Sequence, residues 1–476
     1  MNLVELVRAG RSPALPMTLQ LAEGGEGCVL QISRWLRVLP GQRYVAQAQW
    51  QGRPVLAKLL VGARAARQFQ REQQGALALA AQGVDTPALL TAVENSQGAW
   101  LLFDYLDGAQ SLAEAWDAVA HEAPCSDAQQ QVLGEALGAI AQLHRAGLWQ
   151  DDLHLDNLMR HAGRLYVVDG GGVRVEAPGQ ALSRERVLAN LGTFFAQLPA
   201  SLEPFIEELL VHYLLVNGEH ALPLEALLKE IATVRRWRLR DYLRKIARDC
   251  SLFAVERGAS LLRAVRRDTL GALAPVLADP DGAIATGQSL KQGGSATVAR
   301  IEAGGRTWVI KRYNIKNFMH WLKRCWRPSR AWHSWVAGHH LTQIGIATPA
   351  PVAVIERRRF WLRERAYLIN AYSEGHDLFQ LLGHDGGEPP AAAVGEALCQ
   401  LFTQLAAARI SHGDLKATNL LWDNGRIALI DLDALCVHRR HSSWQRAAVA
   451  DRARFIRNWP SSSPLANWFE HNLPTP

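Results

Sequence analysis

A set of four residues, one lysine, two aspartates and one asparagine, recurs along the chain in one order that is suited to handling a nucleotide phosphate. A lysine lies on an apolar strand, a loop aspartate is followed five residues later by an asparagine, and a second aspartate follows another strand. The two sets are Lys58, Asp152, Asn157 and Asp169, and then Lys311, Asp414, Asn419 and Asp431. The lysine offers positive charge to the phosphates, the loop aspartate can accept a hydroxyl proton, and the other two supply oxygen ligands for Mg²⁺. The pattern predicts phosphoryl transfer from ATP-Mg²⁺ to a hydroxyl group.

The two sets belong to an internal repeat. Gly83–Pro87 (Gly-Val-Asp-Thr-Pro) recurs as Gly345–Pro349 (Gly-Ile-Ala-Thr-Pro), 262 residues later, and both aspartate loops recur at the same separation. The strand lysines are 253 residues apart, so the second copy holds nine extra residues (262 less 253) before the Thr-Pro turn. We predict one module at residues 1–255, a helical linker with a basic face at 256–282, and a second module at 283–476.

Each copy reads as strands first and helices later. A hairpin is predicted around Gly41, and Gly293 with Gly294 marks the matching hairpin of the second copy, although neither loop has the glycines of a strong phosphate clamp. Residues 127–146 carry apolar side chains at helical spacing and lead directly into the Asp152 loop. The predicted fold class is α+β, with a small β-rich N-lobe and a helical C-lobe in each module.

Composition narrows the possible cell compartment and partners. The 476 residues are 48% hydrophobic and 20% charged, and they exceed the length at which one core stops growing. Six scattered cysteines without zinc-ligand spacing indicate reduced thiols in the cytoplasm, and neither a signal peptide nor a run of 18 apolar residues is present. A net charge of +7 predicts an anionic partner.

Several motifs resemble a known family. His412–Asn419 and Ile430–Asp433 resemble the catalytic and metal-binding loops of the protein-kinase-like superfamily. Lys311–Phe318, together with Arg327–Ala331 and Gly345–Pro349, is similar to the bacterial lipopolysaccharide core kinases, which phosphorylate heptose or Kdo sugars. The first copy looks more like the branch that holds aminoglycoside phosphotransferases and sugar kinases. The resemblance implies two tandem protein-kinase-like modules that use ATP and Mg²⁺.

The resemblance also implies roles for the individual residues. The catalytic residues would be Asp152 and Asp414; the nucleotide-binding residues Lys58, Glu72, Lys311, Gly293, Gly294 and Lys416; and the metal ligands Asn157, Asp169, Asn419 and Asp431. Glu72 is expected to form the helix ion pair with Lys58. His154 and Lys416 share one position after the loop aspartate, where a phosphate contact and a structural role are both open.

Both copies depart from the family pattern. Ser334 stands where a helix glutamate is expected, and no acidic residue occurs between Arg312 and Ile355, so Lys311 lacks a nearby carboxylate in sequence. In the first copy Gln150 replaces the expected histidine, and glycines follow Asp169. Which copy turns over is open. One or both modules could instead be pseudokinases that bind nucleotide or scaffold core-assembly enzymes, and a kinase for protein or small-molecule hydroxyls is a further alternative.

The extra residues of the second copy lie in a basic, tryptophan-rich segment, Tyr313–Trp335. Such segments bind anionic membrane surfaces, so the segment predicts peripheral attachment to the cytoplasmic face of the inner membrane, where a lipopolysaccharide core precursor is the acceptor. The alternative is a basic helix whose tryptophans pack on its own lobe. A second basic stretch, Arg235–Arg248, could bind acceptor phosphates or cover the first module. Nucleic acid is not expected as a partner, because no recognised binding module accompanies the charge.

Overall fold

The computed structural model describes residues 2–10, 13–23, 26–315, 318–322 and 325–476. The chain divides into two compact units, Met1–Trp237 and Arg238–Pro476, here called unit 1 and unit 2. Both contain helices and antiparallel strands, so the predicted α+β character is confirmed. Among the described helices, none combines the length and apolarity needed to span a bilayer.

Unit 1 begins with a short helix and a set of strands and continues mainly with helices. Its strands are β1 (Met17–Glu23), β2 (Glu26–Leu39), β3 (Arg43–Trp50), β4 (Arg53–Leu60), β5 (Leu89–Asn95), β6 (Gly98–Asp104), β7 (Gln110–Ser111), β8 (Leu148–Gln150), β9 (Leu158–His161), β10 (Arg164–Val167) and β11 (Val173–Val175). Its helices are α1 (Leu3–Arg8), α2 (Ala65–Ala81), α3 (Leu112–Val119), α4 (Asp127–Arg145), α5 (Arg184–Phe195), α6 (Ile206–Leu214) and α7 (Leu224–Lys245), which continues past the unit boundary.

The main sheet of unit 1 places a lysine beneath a helix. Its strand order is β1-β2-β3-β4-β6-β5, and the predicted hairpin at Gly41 joins β2 to β3. On β4, Ala57 and Leu59 are fully buried, and Lys58 between them points to the opposite face because successive side chains alternate. Helix α2 packs against this sheet through Phe69 and Ala76. The alternation therefore aims a charged side chain between the sheet and α2.

A buried helix supports the loop that follows it. The oxygen of Ser126 caps α4 by accepting the backbone N–H of Gln129, and Leu133, Leu137 and Ile140 lie completely inside the core. This is the helix that the apolar spacing of residues 127–146 predicts. It leads through Gly147, at φ 78°, into β8 and the Asp152 loop. A rigid core element therefore sets the position of the loop.

Unit 2 repeats the order of strands first and helices later. Its strands are β12 (Phe253–Arg257), β13 (Leu261–Arg266), β14 (Gln288–Lys291), β15 (Ala296–Ala303), β16 (Arg306–Tyr313), β17 (Pro351–Arg359), β18 (Leu362–Ala371), β19 (His376–Asp377), β20 (Ile410–Ser411), β21 (Leu420–Asp423), β22 (Arg426–Leu429) and β23 (Cys436–Val437). Its helices are α8 (Leu270–Ala278), α9 (Pro280–Thr286), α10 (Phe318–Leu322), α11 (Arg330–Gln343), α12 (Leu378–Leu381), α13 (Ala392–Ala407), α14 (His441–Ile456) and α15 (Pro464–Asn472).

The helix predicted at 256–282 is wrong for residues 256–266, which contain strands, whereas most of residues 267–282 are helical. Strands β12 and β13 join the seven-stranded sheet of unit 2, whose order is β12-β13-β17-β18-β16-β15-β14. Leu262 and Ala264 are buried on one face of β13, a two-residue period that the interleaved arginines obscure in the sequence. A 3₁₀ turn at Arg267–Thr269 precedes α8 and α9, and Asp279 caps α9 by accepting the N–H of Gly282.

The tryptophan-rich segment is divided between core and surface. Trp335 is fully buried against Phe253, whereas Trp326 is 71% exposed. The indole of Trp321 donates to the carbonyl oxygen of Arg363. Lys316, Lys323 and Arg324, on which much of the predicted basic character rests, lie outside the described residues. The core packing of Trp335 excludes that tryptophan from membrane contact.

Candidate active site

In unit 1 a buried lysine lies between two carboxylates. The Nζ of Lys58 is 2.6 Å from Oε2 of Glu72 on α2 and 3.0 Å from Oδ1 of Asp169. Burial acts to lower the pKa of Lys58, but the charges of Glu72 and Asp169 outweigh it, so the pKa lies above its ordinary value. The ammonium therefore stays charged in a desolvated position. The glutamate that the sequence pairs with Lys58 lies in hydrogen-bonding contact with it.

The second aspartate of unit 1, Asp169, has a backbone conformation that residues other than glycine adopt infrequently. Asp169 lies in the left-handed region at φ 67° and ψ 67°. Such a conformation costs about 1–2 kcal/mol and is found preferentially at functional sites. Burial acts to raise the pKa of Asp169, but the charge and hydrogen bond of Lys58 outweigh it, so the pKa is lowered. The carboxylate is thus held ionised next to the lysine.

The loop carrying Asp152 is stabilised by its own amides. The side-chain amide of Asn157 donates to the backbone oxygen of Asp152 at 2.8 Å, and Nε2 of His154 lies 2.7 Å from its carboxylate. Gln150, which occupies the position of His412 in the repeat, donates to the backbone oxygen of Val168 at 2.8 Å. The Asp152 side chain is 78% exposed, so it is open to a reactant.

In unit 2 the lysine also meets two carboxylates, although no helix glutamate is present. The Nζ of Lys311 on β16 is 2.6 Å from Oδ1 of Asp431 and 3.1 Å from Oδ2 of Asp433. Asp431 is left-handed at φ 57° and ψ 57°, as Asp169 is in unit 1. Lys311 has no acidic residue nearby in sequence, as expected, but Asp433, 122 residues further along the chain, lies close to it in space.

Asp433 is a site residue that the sequence reasoning did not assign. Its Oδ1 accepts hydrogen bonds from Tyr313 at 2.6 Å and from Ser334 at 2.8 Å. Burial acts to raise its pKa, but Lys311 and these hydroxyl donors outweigh burial and lower it. The signal in the sequence was the second acid of the Asp431-Leu-Asp433 motif, two residues beyond the predicted metal ligand.

The loop of unit 2 holds its aspartate between two cations. Asp414 accepts from Lys416 at 2.9 Å and from Arg454 on α14 at 2.6 Å. Burial acts to raise the pKa of Asp414, but these two cations outweigh it and lower the pKa. Lys416 thus contacts Asp414 directly. The amide of Asn419 donates to the backbone oxygen of Asp414 at 2.8 Å, as Asn157 does in unit 1.

Two further side chains fix this loop from behind. Nε2 of the buried His412 is 2.9 Å from the backbone oxygen of Ile430, a contact that corresponds to the one Gln150 makes in unit 1. Asp451 on α14 accepts the backbone N–H groups of His412 at 2.6 Å and of Gly413 at 3.0 Å. Sequence reasoning missed both Asp451, which is buried, and Arg454, which is exposed, because a helix pattern does not show which charged side chains contact a distant loop.

The predicted glycines lie at a tight turn beside the lysine strand. Gly293 and Gly294 join β14 to β15 at φ 90° and 61°, values that a residue with a side chain rarely adopts. On β15, Val298 pairs with Lys311 of β16. A Cβ on either glycine would meet nothing within 4 Å, so the turn borders open space.

The oxygen-rich residues fit Mg²⁺ bound together with a nucleotide. In each unit the side-chain amide nitrogen of the asparagine donates a hydrogen bond to the loop backbone, so the amide oxygen points away from that bond. A backbone hydrogen bond joins the asparagine to the residue that precedes the second aspartate. The N–H of Val168 donates to the oxygen of Asn157 at 2.9 Å, and the N–H of Ile430 donates to the oxygen of Asn419 at 3.0 Å. Mg²⁺ is commonly held by one or two protein oxygens plus phosphates, and each unit brings together an amide and a carboxylate of this kind.

Comparisons with known proteins find a family match in the second half of the chain. Residues 286–468 match the Lipopolysaccharide kinase (Kdo/WaaP) family. A solved structure described as WaaP in complex with acyl carrier protein is 18% identical, with 44% of this chain and 88% of that chain covered and a TM-score of 0.33. No curated protein matches the chain. Residues 286–468, 183 of the 476 residues, are therefore similar to the lipopolysaccharide kinase (Kdo/WaaP) family, and this similarity supports a kinase.

Proposed function

We propose that the protein transfers a phosphoryl group from ATP to a heptose or Kdo hydroxyl of the lipopolysaccharide inner core, and that both units are protein-kinase-like modules. One observation carries the proposal. In each unit a lysine on a strand forms an ion pair with an aspartate of left-handed backbone conformation. In the catalytic loop of each unit, an asparagine side-chain amide donates to the backbone oxygen of a second aspartate. Independent coincidence of this arrangement in two compact units is improbable, since it requires the same hydrogen bonds at equivalent positions.

The roles follow from the chemistry of the groups. ATP with Mg²⁺ supplies the phosphoryl group, and Lys58 or Lys311 would balance the phosphate charge. Asp414 would orient the acceptor hydroxyl and receive its proton. Its lowered pKa keeps it ionised at neutral pH, and because such a carboxylate is a weak base, its main contribution would be positioning.

We assign transfer to the core to unit 2. The family match, residues 286–468, lies within this unit, and Asp414 is fixed by two cations and by the loop contacts of Asp451. Asp152 of unit 1 has His154 as its ionisable contact and is largely exposed. Unit 1 nevertheless holds a lysine, an asparagine and two aspartates at positions equivalent to those of unit 2, so we propose that it binds ATP-Mg²⁺ and either phosphorylates a second hydroxyl or acts as a nucleotide-binding scaffold.

Labelled phosphate transfer tests this assignment. Purified protein, [γ-³²P]ATP, Mg²⁺ and a core lipopolysaccharide precursor should give labelled precursor, and Asp414→Asn should abolish the label while Asp152→Asn retains it. Asp385→Asn, at an exposed aspartate of the same unit, is the control and should transfer normally. Label retained by Asp414→Asn and lost in Asp152→Asn would move the activity to unit 1. No label with any variant, including wild type, would refute the acceptor.

We further propose that unit 2 attaches to the anionic inner face of the membrane through an aromatic and basic surface. This surface comprises Trp326, Arg327, Arg359, Phe360 and Trp361, all exposed. The backbone N–H and the guanidinium of Arg363 donate to the carbonyl oxygens of Cys325 and Trp326. These contacts bring the β17–β18 turn and the tryptophan-rich segment side by side. Aromatic side chains with adjacent arginines suit the interface of an anionic bilayer.

The turn itself favours a binding role. Phe360 and Trp361 have φ values of 50° and 70°, in a two-residue turn where asparagine and glycine are preferred. Replacing both, as Phe360→Asn with Trp361→Gly, should leave the hairpin as stable or more stable and reduce sedimentation with anionic vesicles. Leu215→Ser, at an 80% exposed leucine of unit 1, is the control. Unchanged vesicle binding by the double variant would refute this surface.

A further inference from the structure

The position two residues after the left-handed aspartate differs between the units in a way that matches a difference in the helix above it. Unit 1 has Gly171 at this position and Glu72 on α2. Unit 2 has Asp433 at this position and Ser334 on α11. Gly171 and Asp433 are 262 residues apart, as are Glu72 and Ser334, and this is the separation of the internal repeat. The carboxylate is on the helix in one unit and on the loop in the other.

In unit 1 the glutamate fills the space that a loop side chain would need. A Cβ added to Gly171 would lie 2.6 Å from Oε1 of Glu72, and the Gly171 backbone N–H donates to Oε2 of Glu72 at 3.1 Å. Glu72 is 3% exposed. A side chain at 171 and the glutamate at 72 therefore cannot both be accommodated in this arrangement.

In unit 2 the small helix residue leaves that space to the loop. Ser334 is 3% exposed, and its hydroxyl donates to Oδ1 of Asp433. A glutamate at 334 would bring a second carboxylate against Asp433 in a buried position, which is unfavourable for both charges. Asp433 fills the space and reaches Lys311 at 3.1 Å.

We propose that Asp433 is the positioning residue for Lys311, and that positions 72 and 171 of unit 1 and 334 and 433 of unit 2 are reciprocal alternatives for one task. The inference rests on the proposed nucleotide-binding function. It removes the apparent defect of each copy, since the glycine after Asp169 makes room for Glu72 and the serine at 334 makes room for Asp433. It also places the lysine anchor of unit 2 on the same loop as Asp431, two residues away.

Variants that exchange these residues test the proposal, and ATP-Mg²⁺ binding is measured by titration calorimetry. All variants are made in the full chain carrying Lys58→Met, so that the binding measured comes from unit 2. Asp433→Gly and Ser334→Glu should each weaken binding about 10- to 100-fold, the range for loss of a charged hydrogen bond. The double variant, Ser334→Glu with Asp433→Gly, should recover affinity to within about tenfold of the Lys58→Met parent. Asp385→Gly is the control. Normal binding by Asp433→Gly, or no recovery in a folded double variant, would overturn the proposal.

The converse exchange in unit 1 keeps the test decisive if the double variant of unit 2 does not fold. Glu72→Ser with Gly171→Asp, in the Lys311→Met background, should bind ATP-Mg²⁺ within about tenfold of its parent, whereas Glu72→Ser alone should not. In transfer assays, Asp433→Gly should raise the KM for ATP and leave the KM for the acceptor unchanged. Failure of wild-type protein to phosphorylate the core while these binding results hold would refute the proposed acceptor and leave the exchange intact.

Discussion

Removing the carboxylate of Glu72 tests how unit 1 keeps a lysine charged inside the protein. Glu72→Gln retains the size of the side chain and deletes the charge that lies 2.6 Å from Lys58. The Lys58 side chain is only 9% exposed, and burial by itself lowers its pKa. With Asp169 as the remaining carboxylate in contact, we expect the pKa of Lys58 to fall and unit 1 to lose stability.

The size of the effect follows from the burial of the pair. Deleting one partner of a buried ion pair costs about 3–5 kcal/mol, and the contact with Asp169 favours the lower end, about 3 kcal/mol. For a unit of this size, each kcal/mol lowers Tm by about 2–4 °C, so the unfolding transition of unit 1 should fall by about 6–12 °C. The increase in Tm on adding ATP-Mg²⁺ should shrink as well, because a less well-positioned lysine binds phosphate more weakly.

Scanning calorimetry with and without ATP-Mg²⁺ measures both quantities. Glu94→Gln provides a matched control, since Glu94 is exposed on β5 of the same unit and its loss should change Tm by no more than about 2 °C. If Glu72→Gln unfolds within about 2 °C of wild type and keeps the full nucleotide shift, the ion pair does not position Lys58 and the reasoning fails.

Three further predictions concern the supports of the two sites. Burial lowers the pKa of His144 from 6.5 to about 4, so between these pH values the unfolded chain binds a proton that the native state does not. Calorimetry should therefore show the free energy of unfolding of unit 1 decreasing by about 3 kcal/mol as pH falls from 6.5 to 4, and His144→Gln should largely remove this decrease. Asp451→Ala removes the acceptor of two loop N–H groups and should reduce kcat of core phosphorylation at least about tenfold with little change in the KM for ATP; equal kcat would contradict a role in holding the loop. Gln150→His should preserve ATP binding by unit 1 within about threefold in titrations, because His412 makes the corresponding contact in unit 2, and a complete loss would show that the two side chains are not equivalent.

The repeat made much of each site predictable, because lysine, asparagine and two aspartates kept one order and nearly one spacing in both copies. Local periodicity likewise predicted α4 and the hairpin at Gly41. These features depend on residues close together in sequence. The placement of Lys58 between Glu72 and Asp169 then agrees with the assignment of all three to one site, although their roles in binding stay a prediction.

What the sequence could not provide was tertiary pairing and the choice between equivalent side chains. Asp433 contacts Lys311 across 122 residues, and no local pattern predicts such a contact. Gln150 looked like a lost histidine, yet its amide donates to the same kind of carbonyl. Strand β13 was predicted as helix because charged residues interrupt its alternation. Trp335 belongs to the segment predicted to contact the membrane, but it packs in the core, as the alternative interpretation expected.

The number of ATP-Mg²⁺ molecules bound per chain, measured by isothermal titration, tests the central claim most directly. We predict two sites in wild type, one in Lys58→Met, one in Lys311→Met, and none in the double variant. Two sites remaining in either single variant, or no binding by wild-type protein, would contradict a lysine and two carboxylates forming a nucleotide site in each unit.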